Sequence, residues 1–254
     1  MQNEIIQSLN QIAEDYQCTI LFACESGSRA WGFSSDDSDY DIRFIYIHSY
    51  DWYLRVDKRN YTIEKILPSD LDLSGWELRK ALSLFAYCNL ALYEWLDSPI
   101  VYINNCSCMQ RLQQLIPVYF NRKKALYHYL RMAERTAEKE IQDKQINSKK
   151  VFYILRPLLA CEWIHHFQTM PSTSFERLLQ NDSLPNKIVE AICKLLSLKK
   201  ELTERDNFQL SYDVHQWIIQ TLETNARRAE EAVPKESIEW KPLNQLMVEM
   251  VKKK

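Results

Sequence analysis

Glycine is scarce: the chain holds three in 254 residues, where average usage of roughly 7% would give about 18. Two of the three, Gly27 and Gly32, fall in one short polar stretch. A chain that avoids glycine this strongly and still sets two together needs backbone freedom there, which marks the stretch as a candidate site. Long apolar runs are absent too. None approaches the roughly 18 residues of a membrane span, so no membrane partner is expected. The opening MQNEIIQSLNQIAEDYQ is acidic and amphipathic and does not read as a secretory signal. There is no excess of one charge: 32 Lys+Arg stand against 34 Asp+Glu. That argues against a strongly basic nucleic-acid binder, though not against a local basic groove. CxxC pairs are missing. The cysteines (Cys18, Cys24, Cys88, Cys106, Cys108, Cys161 and Cys193) are odd in number and irregular in spacing, which reads as reduced, mostly buried thiols of a cytoplasmic protein. The histidines give no zinc spacing.

What remains is ordinary globular composition, 46% hydrophobic and 26% charged, which excludes disordered and low-complexity classes. Residues 3–16 have the apolar spacing of an amphipathic helix, with Ile5, Leu9 and Ile12 on one face. Residues 18–24 read as a buried strand. The polar loop ESGSRAWGFSSDDSDYD follows, with room for one helical turn after Gly27. Residues 40–47 alternate as a second strand, with one face polar at its start (Asp41, Arg43) and apolar further on (Ile45). Residues 61–67 and 69–73 suggest further short strands. After Gly75 helical periodicity takes over, in two pieces joined near Asn89. Helices are then expected over 118–142, 149–168, 185–200, 212–231 and 238–253. The order is an N-terminal α/β unit and a C-terminal helical unit, residues 1–110 and 111–254.

The chemistry concentrates in Glu25-Ser26-Gly27-Ser28-Arg29 and the later Asp39-Tyr40-Asp41. Gly27 permits a tight turn after the strand and close approach of a ligand to the backbone. Ser28 is placed to cap a following helical turn, whose free N–H groups suit an anion. Strand alternation sets Asp39 and Asp41 on one face, about 7 Å apart. Two carboxylates there can hold a pair of Mg²⁺ ions roughly 3.5–4 Å apart, the separation used in phosphoryl and nucleotidyl transfer. A phosphate cradle beside a carboxylate pair is what a nucleoside triphosphate needs. Asp36 and Asp37 read as loop solvation. Asp37-x-Asp39-x-Asp41 mimics the start of a calcium loop, but Ile42 stands where glycine is required and His48 where the bidentate glutamate belongs. A glycosyltransferase DxD motif fails on length, because only 38 residues precede Asp39, too few for the βαβ units required.

This order resembles the G-S-x(9–13)-D-x-D motif of the DNA polymerase β-like nucleotidyltransferase superfamily. More closely, GSRAWGFSSDDSDYDIRFIY with GWELRKAL and EWLDSPIVY is similar to the YcgL-type bacterial nucleotidyltransferases. The likeness runs from about residue 22 to 103, with a weaker echo at 149–164. It implies an α+β fold, a small mixed-sheet nucleotidyltransferase core followed by a helical domain. It implies a third carboxylate on a neighbouring strand. Asp72, in Leu71-Asp72-Leu73, fits best, with Asp70 and Glu64 as alternatives. Asp39 and Asp41 would hold both metals and Asp72 the one that activates the incoming hydroxyl. The reaction implied moves a nucleoside monophosphate to a hydroxyl on an RNA 3′ end, a protein side chain or a small molecule. A silent nucleotide- or partner-binding protein with the same fold is the alternative.

The remaining candidates carry two readings each. Arg29 stands beside the turn, for the triphosphate or for a surface ion pair. Arg43 shares a strand face with Asp41. Trp31 and Phe33 read as packing or as a base stack. Lys80 reads as a phosphate contact or a solvated helix face. Lys149, Tyr153 and Arg156 share a helix face at i, i+4, i+7. Helical domains of related enzymes supply groups for base and triphosphate, which makes Lys149 and Tyr153 candidate nucleotide contacts. The run Arg122, Lys123, Lys124, Arg131 and Arg135 suits a nucleic-acid backbone, or a salt-bridged surface with Glu134, Glu138 and Glu140.

Overall fold

The structure is a computed structural model, describing residues 1–35, 37–67, 71–105, 107–141, 145–199, 206–235 and 237–253. Asp36, Asp70 and Cys106 lie outside the described residues. The chain forms two compact units that do not follow a single cut. The first is Met1–Ala30, Asp39–Tyr119 and Ser237–Lys254; the second is Trp31–Ser38 and Phe120–Glu236. The expected boundary near residue 110 therefore differs from this division twice. The middle of the polar loop belongs with the helices, and the C-terminal helix belongs with the sheet.

The first unit is built on a five-stranded mixed sheet. Its strands are β1 (Thr19–Glu25), β2 (Tyr40–Ile47), β3 (Thr62–Leu67), β4 (Leu71–Glu77) and β5 (Val101–Asn104). Their spatial order is β3-β4-β2-β1-β5, with β2 and β4 parallel and the other pairs antiparallel. Alternation decides the faces. Ile42, Phe44 and Tyr46 of β2 join Ile5, Leu9 and Ile12 of helix Gln2–Asp15 in one buried cluster. On the other face of β2, Asp41 and Arg43 are partly exposed and Ile45 and Ile47 are buried, the expected change from polar to apolar. Helices Leu78–Ala86 and Leu90–Leu96 pack against the sheet, and helix Lys241–Lys252 packs on Leu78–Ala86.

Pairing of β2 with β4 explains the third glycine. Gly75 is the register partner of Phe44, and a Cβ there would lie 2.1 Å from the Phe44 ring. The helical expectation was too early in this region, since Trp76 and Glu77 still belong to β4. Glu77 ends the strand and caps the next helix, its side chain accepting from the N–H groups of Arg79 and Lys80.

The second unit packs helix Arg122–Glu140 along Ser148–Phe167, with Tyr212–Glu231 against both. Helices Phe175–Leu179 and Asn186–Lys199 and a ribbon of β6 (Gln145–Asn147) with β7 (Asn207–Gln209) complete it. The expected helix over 118–142 is two helices, broken at Asn121, whose side chain caps the second by accepting from Lys124 N–H. Phe33 is buried in this unit, stacked on Phe152 and edge-on to Phe175. Arg156, nearly fully buried, lies over the Trp31 ring at 4.4 Å. Trp31, Phe33 and Arg156 are thus packing residues of the second unit.

Candidate active site

β1 ends in Glu25, and the backbone turns through Ser26 and Gly27 into the short helix Gly27–Trp31. Gly27 has φ +62°, a conformation that other L residues adopt only with strain. Space also demands glycine: a Cβ at Gly27 would stand 2.1 Å from Oδ2 of Asp41. The turn is tied to β2 by backbone, with Ser26 N–H donating to the Asp41 carbonyl at 2.8 Å.

Asp41 is the second residue of β2, and Asp72 is the second residue of β4. The parallel register makes them direct neighbours, with Asp41 opposite Asp72. Arg43, two residues along β2, turns back between them. One guanidinium nitrogen, Nη2, donates to Asp41 Oδ1 at 2.9 Å and to Asp72 Oδ2 at 2.8 Å. The other, Nη1, donates to the carbonyls of Ile42 at 3.2 Å and Asp72 at 3.1 Å. Glu64, on β3, lies opposite Ser74 and one strand further from Asp41 than Asp72 is.

Asp39 stands exposed just before β2. Its carbonyl accepts from Arg29 Nε at 3.2 Å, and the Arg29 guanidinium covers the Tyr40 ring at 3.7 Å. Arg29 is therefore held along the chain that leads into β2. Ser28 is buried in the short helix.

Glu25 is a neighbour of Asp41 that spacing did not single out. It is fully buried, and its Oε1 accepts the Asp41 N–H at 2.8 Å. Tyr102 on β5 donates its hydroxyl to Glu25 Oε2 at 2.5 Å. Burial pushes the Glu25 carboxyl above the usual range, against the pull of the Tyr102 and Asp41 hydrogen bonds. The only sequence signal was a carboxylate closing an apolar strand. Its partner Tyr102 is 77 residues away.

The candidates of the second unit are placed within it. Lys149 opens helix Ser148–Phe167, its N–H capped by Asn147, and Tyr153 is edge-on to Trp31 at 5.5 Å. In the basic run, Arg122 donates to Gln168 Oε1 and Lys123 to the Glu230 carbonyl. Lys80, in the first unit, donates to Thr62 Oγ1 at 2.6 Å.

Among the described residues no three His, Cys, Asp or Glu side chains already converge on one point. The donor chemistry nevertheless fits a magnesium ion. Two hard carboxylate oxygens, from Asp41 and Asp72, are aimed at a single cationic atom.

A family model described as the RNA repair pathway DNA polymerase beta family matches residues 1–249. The Bacillus subtilis (strain 168) protein YcgL is 38% identical over 252 residues, covering 99% of this chain and 96% of that protein. A nucleotidyltransferase-like protein from Exiguobacterium sibiricum is similar at 11% identity, with 98% of this chain and 80% of that chain covered, at a TM-score of 0.31, too loose to bear on the site. The family match extends past the block at residues 22–103 and takes in the helical half as well. The chain belongs to the RNA repair pathway DNA polymerase beta family.

Proposed function

We propose that this protein is a Mg²⁺-dependent nucleotidyltransferase that moves a nucleoside monophosphate from a nucleoside triphosphate to a hydroxyl. One observation carries the reading: Asp41 and Asp72 stand side by side on parallel strands, both reaching one cationic atom, with the Gly27 turn against Asp41. Asp39, Asp41 and Asp72 would hold the metal ions, which supply neutralising charge to the triphosphate when bound. Gly27, Ser28 and Arg29 would face the phosphates, and Lys149 and Tyr153 would contact the nucleotide. The acceptor oxygen bonds to the α-phosphorus while the bond to pyrophosphate breaks. No covalent enzyme intermediate is required, because positioning and charge do the work. Of the three acceptor classes, an RNA end is favoured by the family's description as an RNA repair polymerase group.

A second reading, a nucleotide-binding protein that does not turn over, draws support from Arg43 lying between the two carboxylates. Incubation with each α-labelled ribonucleoside triphosphate, Mg²⁺ and RNA bearing a 3′ hydroxyl separates the two. Label is expected in RNA, and Asp41→Asn should lower transfer by at least about 100-fold. Nucleotide binding without transfer to RNA, protein or small molecules in a cell extract would decide for the silent binder. Neither binding nor transfer would sink both.

A further inference from the structure

We propose that Arg43 is a displaceable counter-cation. It holds Asp41 and Asp72 together until a divalent ion arrives, and must then leave their oxygens. The inference rests on the reading that these two carboxylates hold that ion.

The geometry makes coexistence difficult. Nη2 of Arg43 sits within 2.9 Å of Asp41 Oδ1 and 2.8 Å of Asp72 Oδ2. A magnesium ion bridging the same two oxygens binds each at about 2.0–2.1 Å. Both cations therefore seek one position. The remaining oxygen of Asp41, Oδ2, faces Gly27 so closely that a Cβ there would come within 2.1 Å. On that side the carboxylate is backed by the turn.

Charge favours the exchange. Two carboxylates and one guanidinium leave a net charge of about −1, and a divalent ion brings the pair to neutrality. Arg43 has a route to solvent. Its side chain is 18% exposed, and its other two hydrogen bonds go to carbonyl oxygens rather than carboxylates. The two bonds to carboxylates pair charge with charge, so losing them to a metal is the costly part of the exchange.

The opposite role is a brace, in which Arg43 keeps β2 and β4 aligned and the metal needs it in place. The two roles predict opposite signs. The test is Mn²⁺ binding without nucleotide, followed by the electron paramagnetic resonance of the free ion, in wild type, Arg43→Met, Asp72→Asn and the double variant. A displaceable cation predicts about tenfold or more tighter Mn²⁺ binding in Arg43→Met, competed by Mg²⁺ and abolished by adding Asp72→Asn. Equal or weaker binding in Arg43→Met, still dependent on Asp72, would overturn the proposal and leave the metal reading standing. Mn²⁺ binding indifferent to Asp72 in both backgrounds would overturn the metal reading itself. Should Arg43→Met not fold, the wild type decides. Saturating Mg²⁺ should shift the Nε–H resonance of Arg43, and an unmoved resonance would defeat the proposal.

Discussion

Asp41 is fixed on every side by named neighbours. Glu25 takes its N–H, Ser26 donates to its carbonyl, Arg43 meets Oδ1, and Gly27 leaves room for Oδ2. Gly27→Ala adds a Cβ into that oxygen at a φ of +62°. The expected result is a loss of about 1–3 kcal/mol in stability, with a far larger loss of nucleotide transfer. Urea unfolding alongside a transfer assay checks it; full transfer in a folded variant would detach Gly27 from the chemistry. Glu25 supplies a pH prediction. Its carboxyl is raised by burial in the folded state, so its contribution to stability is complete below the unfolded pKa and is lost as pH rises through the folded one. Glu25→Gln has no such loss. Its stability relative to wild type should therefore improve as pH rises above the ordinary glutamate range of about 4, measured as the difference in unfolding midpoint. An unchanging difference would mean that Glu25 titrates normally. At this scale the turn at Gly27 and the place of Asp41 at the start of its strand were legible because turn chemistry and strand alternation are local, whereas Asp72 was pointed to by the family resemblance. The Glu25–Tyr102 pair was not, since only the sheet brings it together.

β2 and β4 run parallel, and their contact depends on one missing side chain. Phe44 lies over Gly75, so Gly75→Ala drives a methyl group to 2.1 Å from the ring in a fully buried layer. Overpacking of this kind costs about 1–3 kcal/mol. The same change should loosen the neighbouring Asp41–Asp72 pair, which lies three residues before Phe44 on β2 and three before Gly75 on β4. Guanidinium unfolding of Gly75→Ala is expected to show a lowered midpoint with an unchanged slope, and wild-type stability would refute the packing argument. The strands with strong alternation were readable. β5 was not, having only four residues, with Val101 exposed. Helices Tyr50–Leu54 and Phe175–Leu179 were also missed, because five residues are too few to display a period of 3.6. Trp76 and Glu77 were drawn into a helix by the pattern that follows them. Glu77 is an uncommon cap, and the strand's pairing with β2 and β3 outweighed local periodicity.

The two units interleave along the chain, which no composition shift announces. The polar loop gives Trp31–Ser38 to the helices, and Ser237–Lys254 returns to the sheet unit. Periodicity located the last helix, but assigning it to a unit required knowing which face it buries and against what. Leu243, Leu246, Met250 and Val251 are buried, and the helix packs on Leu78–Ala86, which itself packs on β2 and β4. The Tyr119 hydroxyl donates to the Glu239 carbonyl, fastening the approach to this helix. Removing residues 237–254 should therefore strip this apolar cover from helix Leu78–Ala86 and destabilise the sheet unit. Hydrogen exchange followed peptide by peptide would localise the effect, with faster exchange expected over residues 71–86. The exposed Arg111–Glu249 pair is a control, as Glu249→Ala should cost under about 1 kcal/mol because solvent screens it. A shortened chain whose residues 71–86 exchange at the wild-type rate would show that the sheet unit is complete without its C-terminal helix.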